Sequence, residues 1–287
     1  MKLVNLFTGQ KRLILQNFNS YKNIQLENRK DNYNFFVFWD DLLMTNEEEN
    51  ILKNSLGHFK YEIIKRDNFL KLFKNEFIKI KSDKLLNKSD KNQLIAWLHQ
   101  YYILNEAFKF ARSQLGKKSV NFLWQRVRSD SYIPNKINIK KILKDTKTLN
   151  FPGAKFSFGL NDFHCVGGFK YFKDYAESIN LLKILLNNSI YLPPEVLIST
   201  QLIRKKSLYT INRSLPASLI GLKNNKTYLR SWSSREKGYQ YIDFNFSNYK
   251  SYKNKSDQSE GFLSSLFRRF IYFFEDIYKY LIFIISR

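Results

Sequence analysis

The sequence has a single cysteine, Cys165, and its three histidines form no cluster with it. One cysteine cannot form an internal disulfide, and a structural zinc site needs several Cys or His ligands. The sequence therefore argues against a disulfide scaffold and against a structural zinc site. Long apolar segments are missing too, since no stretch approaches the roughly 20 uninterrupted apolar residues of a membrane-spanning helix.

The first fifteen residues, MKLVNLFTGQKRLIL, lack a continuous apolar segment followed by a small-residue cleavage site. We therefore expect no signal peptide and a location in the cytoplasm. Several nucleotide and hydrolase motifs are also missing. There is no GxxxxGK[ST] loop, no GxGxxG after a strand, no GxSxG and no HExxH. The usual signals of P-loop NTPases, dinucleotide-binding enzymes, α/β-hydrolases and zinc proteases are thus not found.

Acidic residues are scarce relative to basic ones, with 25 Asp and Glu against 48 Lys and Arg and a formal charge of +23. Such a surplus favours an acidic partner, which leaves nucleic acid, anionic lipid and a phosphate-bearing ligand open. A compositional bias towards Lys, Asn, Ile, Phe and Tyr would explain the same charge without any function.

Short apolar strands alternate with helical patterns along the first two thirds of the chain. Apolar runs at 2–7, 35–39 and 61–64 predict strands, and the periodicity of 91–113 predicts the clearest helix. This alternation is typical of βαβ units and predicts an α/β fold with a mostly parallel sheet. Further helices are predicted at 46–56, 169–187 and 195–204, and a loop at 159–168. We divide the chain into a domain at 1–221, a polar loop or linker at 222–260 and an amphipathic helix at 261–287.

The stretch VNFLWQRVRSDSYI, residues 120 to 133, predicts a buried strand that ends in polar groups. Ligands bind at the carboxyl ends of strands in open α/β sheets. Arg126 and Arg128 are able to contact phosphate oxygens directly, while Asp130 is able to hold a divalent cation that binds a diphosphate. The period of a strand places all three on one face. A salt bridge that closes the strand without any ligand is the alternative.

Three patches carry a family resemblance, in the order expected. KLVNLFTGQKR at 2–12 is similar to a first strand followed by an SGQxR loop. WQRVRSD at 124–130 is similar to a K-x-R-x-D strand end, the counterpart of a DxD motif. GLNDFHCVGGFKYFKDY at 159–175 is similar to a segment with the pattern iND-x-f-x-x-G-x-x-x-x-m-x-x-Y. With these patches the chain resembles bacterial GT-A-type glycosyltransferases of cell-surface polysaccharide synthesis, near the WavE lipopolysaccharide family.

The resemblance covers residues 1 to about 220 and implies a GT-A-like, Rossmann-like sheet flanked by helices. It further implies a nucleotide-sugar donor and a lipopolysaccharide- or capsule-type acceptor, either lipid-linked or an oligosaccharide. Asp162 would be the general base that takes the proton of the acceptor hydroxyl. The residues implied near the nucleotide sugar are Thr8, Gly9, Gln10, Arg12, Arg128, Asp130 and Asn161. Gly167 and Gly168 would form a tight turn into the next helix.

The motif Arg128-Ser129-Asp130 departs from DxD, because an arginine replaces the first carboxylate. A divalent cation, Mn²⁺ or Mg²⁺, held by Asp130 therefore remains one of two ways to bind the diphosphate. The tail at 261–287 is rich in aromatic and aliphatic residues but interrupted by charges, which favours an interfacial helix over a spanning one. We expect it to hold the enzyme on the inner face of the cell membrane, or else to pack on the domain.

Two other functions remain open. A basic nucleic-acid-binding protein would place its Lys and Arg with exposed aromatics in one groove. Here the basic residues are scattered along the chain, and the aromatic residues recur at the spacing of buried helix and strand faces. We therefore expect no specific binding of nucleic acid. A non-catalytic scaffold at the membrane with a transferase fold is the second alternative, since the carboxylate pair is incomplete.

Overall fold

The computed structural model describes residues 1–9, 11, 14–133, 136–142, 148–152, 155–156, 159–160, 164–192, 194–212, 218–223, 226–233 and 238–243. The described helices are α1 (Ile14–Tyr21), α2 (Asn46–Leu56), α3 (Arg66–Leu72), α4 (Lys74–Ser82), α5 (Lys88–Leu115), α6 (Ile139–Ile142), α7 (Phe169–Ala176), α8 (Ser178–Asn187) and α9 (Pro194–Arg204). No described helix combines the length and the hydropathy needed to cross a bilayer.

The described strands fall into one large sheet and two small ones. They are β1 (Leu3–Gly9), β2 (Asn32–Trp39), β3 (His58–Ile64), β4 (Leu123–Arg128), β5 (Ser131–Tyr132), β6 (Leu149–Pro152), β7 (Lys155–Phe156), β8 (Gly159–Leu160), β9 (His164–Gly168), β10 (Tyr209–Asn212), β11 (Ser218–Lys223), β12 (Lys226–Ser233) and β13 (Gly238–Asp243).

Among the described residues, seven strands form the central sheet in the order β10-β6-β9-β4-β1-β2-β3. Strand β1 pairs in parallel with β2 and β4, and β2 with β3. Only β9 among these seven runs antiparallel, between β4 and β6. The carboxyl ends of β1, β2, β3 and β4 and the start of β9 therefore lie at one edge of the sheet.

Helices cover both faces of this sheet. Alternate residues of β2 separate the two cores: Phe35, Val37 and Trp39 face the core under α3–α5 and α7–α9. Phe36 and Phe38 face the core under α1, α2 and α6. A strand covered on both sides reads as a continuous apolar run, which is why NFFVFW lacks polar alternation. The predicted α/β class with a mostly parallel, helix-flanked sheet is confirmed.

A buried row of amides crosses the centre of the sheet. Gln125 Nε2 donates to Asn5 Oδ1 at 2.8 Å, and Asn5 Nδ2 donates to Asn34 Oδ1 at 3.0 Å. Gln25 Nε2 also donates to Asn34 Oδ1, at 2.9 Å. Asn5 is the register partner of both Gln125 and Asn34. A slip of one residue would leave these amides unpaired in the core, so the row helps to fix the register.

The long predicted helix is confirmed and runs further than expected, as α5. It begins at Lys88 because Asn87 caps it, accepting from the Asp90 amide at 2.9 Å, and it ends where Gly116 adopts φ +64°. The predicted strand at 120–133 is shorter than expected. Residues 116–121 form a 3₁₀ turn that leaves Val120 exposed, and the strand itself covers only Leu123–Arg128.

Two segments expected as loops contain strands. The range 159–168 includes β8 and β9. In β9 a Cβ on residue 167 would lie 2.6 Å from the Thr148 carbonyl oxygen, so Gly167 permits close strand packing, and its backbone makes no tight turn. Parts of the expected loop at 222–260 form β12 and β13, in the antiparallel order β13-β12-β11-β5. Thr, Tyr and Trp in TYLRSW suit a strand although aliphatic residues are few.

The boundary expected at residue 221 falls inside β11. The amphipathic helix expected at 261–287 lies outside the described residues. The division into three segments stays a prediction.

Candidate functional site at the sheet edge

The ends of β1 and β4 bring the first and second patches of the sequence together. Thr8 is the register partner of Arg128, and the Ser129 amide donates to the Thr8 carbonyl at 3.0 Å. Gly9 follows with φ +131°, and a Cβ there would lie 2.9 Å from Ser129 Oγ. The dihedral angle thus favours glycine at this position, and a Cβ would in addition have to displace the Ser129 hydroxyl. The end of β1 consequently lies directly against Ser129, the residue that follows β4.

Arg128 and Asp130 form a bidentate ion pair at this edge. Nε of Arg128 donates to Oδ1 of Asp130 at 3.0 Å, and Nη2 donates to Oδ2 at 2.9 Å. The side chains of Arg128 and Asp130 are 26% and 32% exposed to solvent. The salt bridge considered as an alternative from the sequence is therefore formed, and its groups remain accessible to a ligand from solvent.

Helix α1 holds the backbone that carries this pair. Asn17 Nδ2 donates to the carbonyls of Ser129 and Ser131, at 3.2 and 2.8 Å. The Tyr21 hydroxyl donates to the Ser129 carbonyl at 2.7 Å. Burial raises the pKa of Tyr21, and the charge of Asp130 adds to the rise, so the phenol stays a proton donor. We name Asn17 and Tyr21 the α1 clamp; its signal in the sequence is their four-residue spacing on one helix face.

The loop after β1 is anchored by a buried lysine. Lys11 donates through Nζ to Glu48 Oε2 and to the Leu43 carbonyl. Glu48 also closes a capping box with Thr45 at the start of α2. Burial alone would raise the pKa of Glu48, but the hydrogen bonds and charge of Lys11, with the Thr45 contacts, outweigh it and lower that pKa. Sequence reasoning missed this lysine, because nothing distinguishes it among so many others.

Arg126 lies on the same face of β4 as Arg128, but it points into the core and away from the expected phosphate site. It is buried, and Nη1 donates to the Tyr175 hydroxyl at 2.6 Å. Its Nε lies 3.4 Å from Thr8 Oγ1, which buries the Thr8 side chain as well. Neighbouring Cys165 is buried, and this burial raises the pKa of its thiol despite the charge of Arg126. The guanidinium of Arg126 is buried in the core. The expectation that Arg126 contacts phosphate together with Arg128 is therefore wrong.

His164 lies at the same edge, because it begins the antiparallel strand β9 and pairs with Val127. Its ring is fully buried, and neither ring nitrogen has a hydrogen-bond partner. Burial lowers the pKa of His164 to about 3, so the ring is neutral. The sequence assigns no role to this residue, and the structure makes it an uncompensated polar group beside the candidate site.

A divalent cation does not fit the described residues alone. Both carboxylate oxygens of Asp130 accept from Arg128, and no group of three or more His, Cys, Asp or Glu surrounds a common point in the described part of the chain. A hard cation takes several oxygen ligands. Asp130 as a metal ligand stays a prediction.

The expected site residues divide into two groups. Thr8, Gly9, Arg128 and Asp130 meet at the adjacent ends of β1 and β4. Gln10, Arg12, Asn161 and Asp162 lie outside the described residues. A cavity of about 580 Å³ lined by Arg112 and Lys117 lies beside the residues that precede β4, at the other edge of the sheet.

The sequence matches no protein-family model and no curated protein. Two solved glycosyltransferase structures are similar to it. Apo GlyE of Streptococcus pneumoniae TIGR4 is 12% identical over 73% of this chain and 45% of its own, with a TM-score of 0.39. Apo mouse xyloside xylosyltransferase 1 is 9% identical over 74% of this chain and 84% of its own, with a TM-score of 0.36. The chain thus spans less than half of GlyE, and at these scores neither likeness decides its function.

Proposed function

We propose that this chain is a glycosyltransferase that moves a sugar from a nucleotide-sugar donor to a growing surface glycan. The observation that supports this most is the meeting of Gly9, Arg128 and Asp130 at one sheet edge. A glycine with φ +131° lets the backbone approach a bound group closely. An accessible guanidinium beside it offers two parallel donors to a diphosphate.

In this proposal Arg128 exchanges its partner when the donor binds. The guanidinium leaves Asp130 for phosphate oxygens, and the freed carboxylate becomes an acceptor for hydroxyl groups of the donor. Asp162 takes the proton of the acceptor hydroxyl as its oxygen attacks the anomeric carbon. The bond from that carbon to the phosphate oxygen breaks, and the nucleoside diphosphate leaves with the bonding pair. Thr8, Gln10, Arg12 and Asn161 would line the donor around this centre.

The acceptor we propose is of the lipopolysaccharide or capsule type, lipid-linked or an oligosaccharide. An acceptor of this kind lies at the inner face of the cell membrane. The aromatic, charge-interrupted segment at 261–287 suits contact with that surface, and its flanking lysines and arginines would be attracted to anionic lipid. The enzyme would then be cytoplasmic and peripheral to the membrane.

A non-catalytic scaffold is the second candidate. The observation in its favour is that Arg128 and Asp130 satisfy one another through two hydrogen bonds. A pair whose only role is to close the strand end would have this geometry. The two candidates differ in whether a nucleotide displaces Asp130 from Arg128.

Nucleotide binding separates them. We would measure the melting temperature of the full chain with UDP, GDP, TDP and CMP, each with and without Mn²⁺. A transferase should be stabilised by at least one nucleotide, because a ligand that binds only the folded state raises its stability. An equal shift with and without Mn²⁺ would assign the diphosphate to Arg128. The absence of any shift would favour the scaffold.

A further inference from the structure

Several large aliphatic side chains are exposed along α3, α4 and the turn that follows. Leu70 and Ile78 are 42% and 56% exposed, and Leu85 is 93% exposed. A single exposed leucine is ordinary on a protein surface, but several along two successive helices and the turn after them indicate an apolar patch. This patch belongs neither to the candidate site nor to the segment at 261–287.

The patch alternates with lysines on the outer face of the helices. Phe69, Phe73, Phe77 and Ile80 recur at three- and four-residue steps and are buried against α5 and α8. The outer face carries Leu70, Lys74 and Ile78 at four-residue steps, with Lys71 and Lys81 beside them. We name these five residues the α3–α4 strip. It combines an apolar line with flanking cations on one surface.

The surrounding charge is strongly basic. Residues 65–91 contain nine Lys and Arg against four Asp and Glu, a surplus of five positive charges. Two of the four carboxylates turn towards the protein. Glu76 is buried, and its Oε1 lies 3.9 Å from Lys183 Nζ. Asp83 accepts a hydrogen bond from the Tyr191 hydroxyl. The outward charge is thus more positive than the count indicates.

The strip begins at the edge of the sheet where the candidate site lies. Helix α3 follows β3 directly, and Arg66 lies 3.7 Å from Asp41, just after β2. The next residues in that loop, Leu42 and Leu43, are 42% and 68% exposed. Exposed aliphatic residues therefore occur both on α3 and in the loop after β2 at the rim of the sheet.

We propose that the α3–α4 strip is a docking surface for an anionic lipid bilayer. Aliphatic side chains enter the boundary between headgroups and acyl chains, while lysines keep their charges among the headgroups. Single-stranded nucleic acid would need exposed rings for stacking, but the rings of this segment are buried. A second copy of the strip would oppose lysine to lysine, which disfavours self-association.

This surface goes beyond the proposed function, because it does not depend on catalysis or on residues 261–287. It would orient the molecule as well as hold it. A bilayer on the strip lies beside the rim that carries Leu42 and Leu43, so the sheet edge with Arg128 would face the membrane boundary.

Cosedimentation of the full chain with vesicles tests the proposal. Vesicles of phosphatidylcholine alone are compared with vesicles of phosphatidylcholine and phosphatidylglycerol in equal parts. The double variants Leu70→Glu with Ile78→Glu, and Lys71→Glu with Lys74→Glu, should each weaken binding to anionic vesicles by about tenfold or more. The matched controls are Val120→Glu with Leu208→Glu, and Lys117→Glu with Lys118→Glu, which change exposed residues of the same kinds elsewhere. Controls that keep wild-type binding support the strip.

Three results would overturn it. The first is that the strip variants bind anionic vesicles like the wild type. The second is that the controls lose as much vesicle binding as the strip variants. The third is that neutral vesicles are bound as tightly as anionic ones. Competition by random oligonucleotides that is relieved by the same strip variants would assign the surface to nucleic acid instead. The nucleotide-induced melting shift is measured on the same proteins, so failure of the proposed function appears there and leaves the vesicle result unaffected.

Discussion

Arg128 and Asp130 face one another across the end of β4 through two parallel hydrogen bonds of 3.0 and 2.9 Å. Both side chains are partly exposed, with 26% and 32% of their surface accessible. An ion pair at this exposure contributes roughly 0–1 kcal/mol to stability. Its geometry therefore matters more for what binds there than for the free energy of unfolding.

Replacing Asp130 by alanine should abolish sugar transfer and lower the free energy of unfolding by at most about 1 kcal/mol. Turnover of the nucleotide-sugar donor and urea denaturation measure the two effects separately. Glu177→Ala is the matched control, since it removes a partly exposed ion pair with Lys173 beside the cavity at the other edge of the sheet. An Asp130→Ala protein that turns over at the wild-type rate would remove Asp130 from the proposed site.

Asp162 is tested by a change that keeps its size. Asp162→Asn cannot accept the proton of the acceptor hydroxyl, so turnover should be lost while the nucleotide-induced melting shift remains. This combination separates a base from a residue that merely binds the donor. Turnover that survives in Asp162→Asn would assign the proton to another group.

Gly9→Ala should be more costly than an ordinary surface change. Its Cβ would meet Ser129 Oγ at 2.9 Å, and the backbone has φ +131°. We expect a loss of about 1–3 kcal/mol in the free energy of unfolding, measured in urea. Gly116→Ala is the control, because φ is also positive there, +64°, but no heavy atom lies within 4 Å of the added carbon. Equal losses in both variants would show that the contact with Ser129 has no consequence.

Periodicity and caps made the large elements predictable. Helix α2 has the predicted bounds, Asn46–Leu56, because acidic residues and a Thr45–Glu48 capping box mark its start. The apolar run at 120–133 also predicted a strand, which the structure confines to Leu123–Arg128. Local patterns carry this information because each depends on residues three or four positions apart.

What sequence reasoning missed depends on contacts distant in the chain. Strand alternation placed Arg126 with Arg128, but Tyr175, 49 positions later, holds Arg126 in the core. The resemblance places Gly167 in a turn, although the Thr148 carbonyl, just before the neighbouring strand β6, is what excludes a side chain there. Lys11 differs from the other lysines only through its ion pair with Glu48, which forms when the chain folds. No short-range pattern encodes these partners.

Loss of the α1 clamp should change donor binding at the site as well as the free energy of unfolding. Tyr21→Phe removes the hydroxyl that donates to the Ser129 carbonyl at 2.7 Å, at an expected cost of about 0.5–1.5 kcal/mol in the free energy of unfolding. Because this carbonyl precedes Asp130, we also expect KM for the donor to rise. Tyr101→Phe is the control, as it removes a buried bond to the Pro194 carbonyl at 2.8 Å away from the site. The same KM in both variants would make the clamp purely structural.

His164 predicts a specific dependence of stability on pH. Burial lowers its pKa from 6.5 to about 3, so between these values the unfolded chain binds a proton that the folded chain does not. Stability is therefore fully present above pH 6.5 and is lost as the pH falls towards 3. One proton sets a maximal slope of about 1.4 kcal/mol per pH unit. The lowered pKa of His99, about 4, acts in the same direction.

His164→Leu isolates the contribution of His164, because His99 and the carboxylates stay in both proteins. Urea denaturation of each protein across the window from pH 6.5 to about 3 should give curves that diverge in acid, with the variant losing less. Above pH 6.5 the variant should be as stable as the wild type or more so, since leucine leaves no unpaired ring nitrogen in the core. Curves that stay parallel throughout would show that the folded protein accepts a proton on His164, which requires an acceptor or water at the sheet edge beside Val127.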